Sequence, residues 1–148
     1  MAKLLEFLEG KEPDIYGRTL SGIRAFSDID INNEHNFIQW VFPTSTPSVS
    51  VPGSPVLTIE DIKIIRGSKL AVDNLCVSSE WFFSFLERNT FWIKTHDHNH
   101  LRITRVIQSL RLLVDADEAD FFREQIFKLL GVNKNKIPTR TQRFWIDA

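Results

Sequence analysis

A single cysteine, Cys76, stands among 148 residues, so an internal disulfide is excluded and a reducing, cytoplasmic compartment fits. It lies in an apolar run and reads as a small core residue rather than a nucleophile. Six glycines in all leave little for a phosphate-cradling loop, and no Gly-x-Ser-x-Gly elbow, H-E-x-x-H pair or paired-carboxylate motif can be read. Charge of one sign is missing too. With 18 Lys and Arg against 19 Asp and Glu, no global field steers the chain towards nucleic acid or anionic lipid, and any basic site has to be local. Nor is there a run of roughly 20 apolar residues such as a spanning helix needs. The stretch Leu4-Leu5-Glu6-Phe7-Leu8-Glu9 is broken by acids and too short for a signal-peptide core. These absences predict a soluble chain with no transmembrane segment, no nucleic-acid partner and no cofactor. Its length suits one domain, residues 1–148, with a core that needs neither disulfide nor metal.

What is present divides into short helices. Pro43, Pro47, Pro52 and Pro55, four of six prolines, fall among Ser and Thr between Pro43 and Thr58, which predicts a long Pro/Ser-rich loop. Before it, Asn33 to Phe42 reads as a helix stopped by Pro43. After it, Thr58 can cap a helix over Ile59 to Arg66, with Glu60 and Asp61 in the first turn and Gly67 as the stop. Lys69 to Glu87 predicts one or two helices facing the core, and Asn89 to Asp97 an extended or loop segment. Asp115-Ala116-Asp117-Glu118 is a capping box for a helix through Leu130. In the tail Thr139 and Gln142 repeat the device ahead of Phe144, Trp145 and Ile146. No internal repeat is visible, which argues against a solenoid. The fold class predicted is all-α, a compact bundle of about six to seven helices.

The stretch from His98 to Leu112 sets basic residues inside an apolar helix. At 100° per residue, Ile103, Val106, Ile107, Leu110, Leu113 and Val114 share one broad face, and Leu101 and Leu112 form a second apolar strip. Arg102, Arg105 and Ser109 lie between the two, while Thr104, Gln108 and Arg111 make the polar face. A helix exposed on one side does not need two apolar strips, so Arg102 and Arg105 are inferred to be partly buried, with carboxylate, carbonyl or anion partners. In one reading they pair internally with Asp28, Asp30, Glu34 or Glu80. In another they face a cleft and hold a ligand carboxylate or phosphate, with Ser109 and His98 completing the site.

His96, His98 and His100, with His35 as a remote fourth, invite a metal reading. A helix beginning near Asn99 would separate them, so no metal is predicted and Asp97 or Asn99 is read as the helix cap. Most of the four tryptophans and twelve phenylalanines are expected in the core, with some lining a pocket or groove. Trp40 reads as a core anchor, and Gln39 beside it needs solvent or a hydrogen-bond partner.

Asn36-Phe37-Ile38-Gln39-Trp40-Val41-Phe42-Pro43 followed by His98-Asn99-His100-Leu101-Arg102-Ile103-Thr104-Arg105 and the helix beyond closely resembles the conserved region of the opioid growth factor receptor family. That family pairs an "HNFIQWLFP"-like segment with an "HNxLRITRILxSLRLLG"-like one. The resemblance covers roughly residues 29–130. It carries over the motif positions Gln39, Trp40, Pro43, His98, Asn99, Arg102, Thr104 and Arg105, and no defined ligand contacts. It implies a helical, receptor-like region for the peptide Met-enkephalin, associated with nuclear membranes. The chain departs from the pattern at Phe82-Phe83-Ser84-Phe85-Leu86-Glu87, where an "LxFYG"-like ending is usual, and at Val114-Asp115, where the family turns on glycine. Without long acidic or repetitive extensions it looks more like the short microbial members.

Together these readings predict a non-catalytic binding domain for a peptide or small anionic ligand, with Arg102, Arg105, His98, Asn99, Ser109, Gln39 and Trp40 at the site. Two other classes stand beside it: a metal- or His98-dependent enzyme, and a protein-interaction scaffold using exposed Phe144 and Trp145.

Overall fold

Short polar side chains set the helix boundaries. The Asp61 N–H donates to Thr58 Oγ1 at 3.1 Å and the Thr58 N–H donates to the Asp61 carboxylate at 2.9 Å, a reciprocal box that fixes where one helix begins. Ser68 accepts from the Ala71 N–H and Asp115 from the Glu118 N–H in the same manner. In a computed structural model describing residues 2–148 the chain runs α1 (Ala2–Leu8), α2 (Leu20–Arg24), α3 (Asp28–Asn33), α4 (Ile38–Val41), α5 (Ile59–Arg66), α6 (Lys69–Arg88), α7 (Asn99–Leu113), α8 (Ala116–Leu130) and α9 (Thr139–Asp147). Short 3₁₀ segments follow α6 at Thr90–Trp92 and α8 at Gly131–Lys136.

The fold is all-α. Among the described residues no strand forms, and an isolated bridge joins Thr44 to Val56 across the segment between α4 and α5. None of these helices is long and apolar enough to cross a membrane. The predicted helices over Ile59–Arg66 and after Asp115 are found with their caps, and Lys69 onward is one helix rather than two. The number exceeds the six or seven expected because α1, α2 and α3 precede the region where sequence periodicity was strong.

α6 and α7 lie at the centre: α6 packs on α1, α5, α7 and α8, and α7 on α5, α6, α8 and α9. The α7 face that meets its neighbours is Ile103, Val106, Ile107, Leu110 and Leu113, all fully buried, as the angular reading required. Phe42 packs edge-on against Phe82 at 6.4 Å and Phe37 against Trp81 at 6.2 Å, anchoring the region of α4 to α6.

Several expectations are corrected. The helix expected over Asn33 to Phe42 is instead the single turn α4, preceded by α3 and a non-helical joint, because the carbonyls of that joint are taken by side chains. Leu101 does not join a second buried strip; it is 74% exposed. In the tail the residue before α9 is Pro138, and no side-chain cap forms. Gln142 donates instead to the Lys134 and Ile137 carbonyls at 3.0 Å each, holding the preceding turn.

Trp145, expected to be exposed, is fully buried. Its Nε1 donates to the His100 carbonyl at 3.0 Å, and its ring meets His100 and Phe127 edge-on at 5.8 and 5.9 Å. Only Phe144 of that pair is exposed, so the scaffold reading loses its main anchor. Trp145→Ala removes this packing and the indole's bond to the His100 carbonyl, which keeps Thr104 Oγ1 as a donor at 3.3 Å. It is expected to cost about 3–5 kcal/mol in urea denaturation, as large-to-small changes of buried aromatics do.

Candidate functional site

The Arg102 side chain crosses from α7 to the joint between α3 and α4. Its Nη1 donates to the Ile31 carbonyl at 2.6 Å and to Asn99 Oδ1 at 3.3 Å, and its Nη2 donates to the Glu34 carbonyl at 2.6 Å. The residue is 5% exposed and its guanidinium lies over the Phe37 ring at 5.2 Å. Burial pulls its pKa down to about 10, with Asp97 acting in the opposite direction, so it remains charged at neutral pH. The carboxylates expected as its partners are not used. Asp28 pairs with Arg88 at 2.7 Å and accepts from Asn89, while the Arg102 charge is met by the two backbone carbonyls and the Asn99 amide oxygen.

Neighbouring side chains hold the same joint. His98 Nε2 donates to the Asn32 carbonyl at 2.8 Å and Asn99 Nδ2 donates to Asn32 Oδ1 at 3.1 Å. Asp97 accepts from the Asn99 N–H at 2.9 Å at the helix entrance, but the cap position is His98 and no side-chain cap bond forms there, in place of the Asp97 or Asn99 cap expected. From the other side Arg18 donates to the Asn36 side chain at 2.8 Å and carbonyl at 3.0 Å, itself paired with buried Asp14 at 2.8 Å.

Beside this joint lies a cavity of about 440 Å³, between α4, the exposed side of α7 and the proline-rich segment. His35, Gln39, His98, Arg102 and Arg105 line it together with Thr44, Thr46, Ser48, Ser50 and Gln108, and no acidic residue does. Arg105 is half-buried and makes one hydrogen bond, from Nη1 to the Phe42 carbonyl at 3.1 Å, among the described residues. Its burial lowers its pKa with no opposing carboxylate. Gln39 is 6% exposed; its Nε2 donates to the His35 carbonyl at 3.1 Å, and its Oε1 has no partner.

Four of the seven predicted site residues therefore meet at one cavity: Gln39, His98, Arg102 and Arg105. Asn99 is fully buried behind it as a support for Arg102. Ser109 is also fully buried, away from this cavity, with its Oγ unpartnered. Trp40 packs edge-on against Phe7 at 5.6 Å and faces a separate cavity of about 280 Å³ with Ile15 and Pro55. The hydroxyls of Thr44, Thr46, Ser48 and Ser50 were missed. Their composition signalled a loop, but which of them face inward depends on how the loop folds back through the Leu57 N–H to the Thr44 carbonyl at 2.9 Å.

The histidines do not converge. His100 Nε2 bonds the Trp92 carbonyl at 2.8 Å in the interior, whereas His98 faces His35 edge-on at 5.6 Å at the cavity. Among the described residues no three His, Cys, Asp or Glu side chains are grouped as a metal ligand set. Cys76 is half-buried rather than fully in the core. Burial, followed by the charges of Glu118, Asp115, Asp73 and Glu80, pushes its thiol up to about 11, which keeps it protonated.

The chain is 30% identical over 98 residues to the opioid growth factor receptor of Mus musculus, 29% to that of Rattus norvegicus and 26% to that of Homo sapiens. In each case the match covers 54% of this chain, and it spans only 15%, 17% and 14% of the respective relative. This weak homology supports a relationship to that family. No protein-family model and no solved structure matches the chain.

Arg102 and Arg105 are expected to separate in stability. Arg102→Ala strips buried carbonyls of a charged donor and should cost about 3 kcal/mol, whereas Arg105→Ala, losing one bond, should cost about 1 kcal/mol or less; urea denaturation of the two variants checks this. The joint should also respond to pH. Partial burial, then the Arg102 charge, hold the His98 pKa below its ordinary 6.5 in the folded state. The unfolded chain therefore takes up the proton first, so stability is complete above pH 6.5 and is lost as pH falls through the folded value. Denaturation midpoints from pH 7.5 to 5 should fall less steeply in His98→Gln, which keeps a donor for Asn32.

Proposed function

We propose that this chain is a receptor-like binding domain that holds a peptide or small anionic ligand in the cavity at Arg105 and does not transform it. The observation that carries the reading is a guanidinium group, half-buried in an acid-free cavity, whose charge meets a single carbonyl oxygen. A desolvated cation is stabilised by a carboxylate or phosphate oxygen, and Arg presents a planar fork suited to either. The cavity has the volume of a small-ligand site. Binding is favoured over catalysis because His98, the imidazole best placed for acid-base work, has its Nε2 committed to the Asn32 carbonyl. The similarity to proteins named as receptors supports the same class, and the family resemblance makes a peptide the first ligand to try.

Arg105, rather than Arg102, is the residue to test, since Arg102 is spent on the fold. Calorimetric titration with Met-enkephalin, with a scrambled pentapeptide as control, is expected to show saturable one-to-one binding. Arg105→Ala should weaken it by about tenfold or more, the size of a lost charge-assisted bond. No saturable heat at several hundred micromolar peptide would sink the peptide reading, and unchanged affinity in Arg105→Ala would move the site elsewhere.

A further inference from the structure

We infer that the outward surface of the tail, from Val132 to Ile146, is a docking face for a bilayer rich in acidic phospholipid. It meets the bilayer peripherally, with Lys134, Lys136, Arg140 and Arg143 on the headgroup phosphates and Val132 among the headgroups. This face is not the cavity at Arg105, and the inference does not depend on the binding reading above.

The chain is almost neutral, yet its charge is unevenly spread. Residues 125–146 hold five of the 18 Lys and Arg and no Asp or Glu. A local positive field is thus set against a chain that is net acidic elsewhere. Lys134, Lys136, Arg140 and Arg143 are all exposed, and the first three have no ion-pair partner among the described residues. Arg143 engages Asp147 at 3.5 Å, a pair so open to solvent that it neutralises little.

Local bonding keeps these cations together. Gln142 Nε2 donates to the Lys134 and Ile137 carbonyls, which folds the 3₁₀ segment Gly131–Lys136 back along the start of α9. At 100° per residue the outward half of α9 runs Ile146, Thr139, Arg143, Asp147, Arg140 and Phe144. Burial agrees: Trp145 on the opposite side is fully buried, and Thr141 and Gln142 beside it are half-buried.

The apolar residues of this surface select the partner. Gly131, at φ 50°, turns the chain off α8, and Val132 beyond it is 93% exposed. Ile146 and Phe144 border the arginines, both about half exposed, with the Arg140 guanidinium over the Phe144 ring at 5.8 Å. A nucleic acid attracts the cations through its phosphates and gains nothing from an aliphatic side chain standing in solvent beside lysines. A bilayer engages both, since its headgroups attract the cations and the valine leaves water at the headgroup boundary. The long Lys and Arg stems let the charges reach phosphate while their methylenes cover that boundary.

Sedimentation with vesicles tests this on the full chain, comparing phosphatidylcholine alone with phosphatidylcholine containing roughly one-third phosphatidylglycerol. The chain is expected to bind the mixed vesicles and not the neutral ones. Each Lys or Arg near an anionic surface is worth about fivefold in partitioning, so Lys134→Gln with Lys136→Gln should weaken binding roughly 25-fold. Val132→Ser should weaken it severalfold. The replaced side chains are exposed, and circular dichroism confirms that the variants are folded. Lys11→Gln with Lys63→Gln, the same change of charge elsewhere on the surface, is expected to leave binding nearly unchanged. No binding to the mixed vesicles, or equal loss in the two double variants, would overturn the inference. A single-stranded oligonucleotide that binds as tightly in the same salt, with vesicle binding indifferent to Val132→Ser, would overturn it in favour of a nucleic-acid surface.

Discussion

The architecture around the cavity depends on one guanidinium group serving two backbone carbonyls. At the end of α3 the chain leaves helical geometry, and the oxygens of Ile31, in its last turn, and Glu34, just beyond it, turn towards α7, where Arg102 meets both at 2.6 Å. A backbone that gives up its own ladder must find donors elsewhere, or the fold bears the desolvation of each orphaned carbonyl. A guanidinium can reach two carbonyls and the Asn99 amide together because its N–H groups diverge in one plane. A lysine ammonium, a point donor on a flexible stem, does not reproduce that fork.

The same solution recurs along the segment from Ile31 to Phe42. Arg18 answers Asn36, Gln39 answers His35 and Arg105 answers Phe42. These side chains differ in how far they are satisfied, and the difference decides their roles. Arg18 also has Asp14 as an ion-pair partner, and Arg102 has three acceptors under nearly complete burial. Arg105 has one acceptor and an open cavity. Positive charge is therefore concentrated where the protein itself does least to neutralise it, although the whole chain carries almost no net charge.

Much of this was legible in the sequence. The Thr58 and Asp115 caps and the apolar face of α7 follow from local rules of spacing and hydrogen bonding, which operate within one helix. Legibility ended where partners come from afar. Apolar residues at Phe37, Ile38, Trp40 and Val41 suggested a continuous helix. The joint before α4 is set by Arg18 and Arg102, which lie outside the segment. Trp145 looked like an exposed tail residue because its amphipathic helix was short; its burial needs the His100 carbonyl, 45 residues earlier. Equally, no pattern of spacing could show that Gln39 would be left with one bonded end, since that follows from where the His35 carbonyl points.

The segment over the cavity is braced by its own short bonds: Thr46 N–H to Thr44 Oγ1, Val51 N–H to Ser48 Oγ, and Ser54 Oγ to the Val51 carbonyl at 2.6 Å. Pro43, Pro47, Pro52 and Pro55 fix φ at four further points. A chain so restricted has few conformations to lose, either when the protein folds or when the cavity fills. A glycine-rich cover of the same length would surrender far more conformational entropy on closing over a guest. This segment is cheap to hold still, so under the binding reading proposed above more of the contact energy with a ligand would remain as affinity.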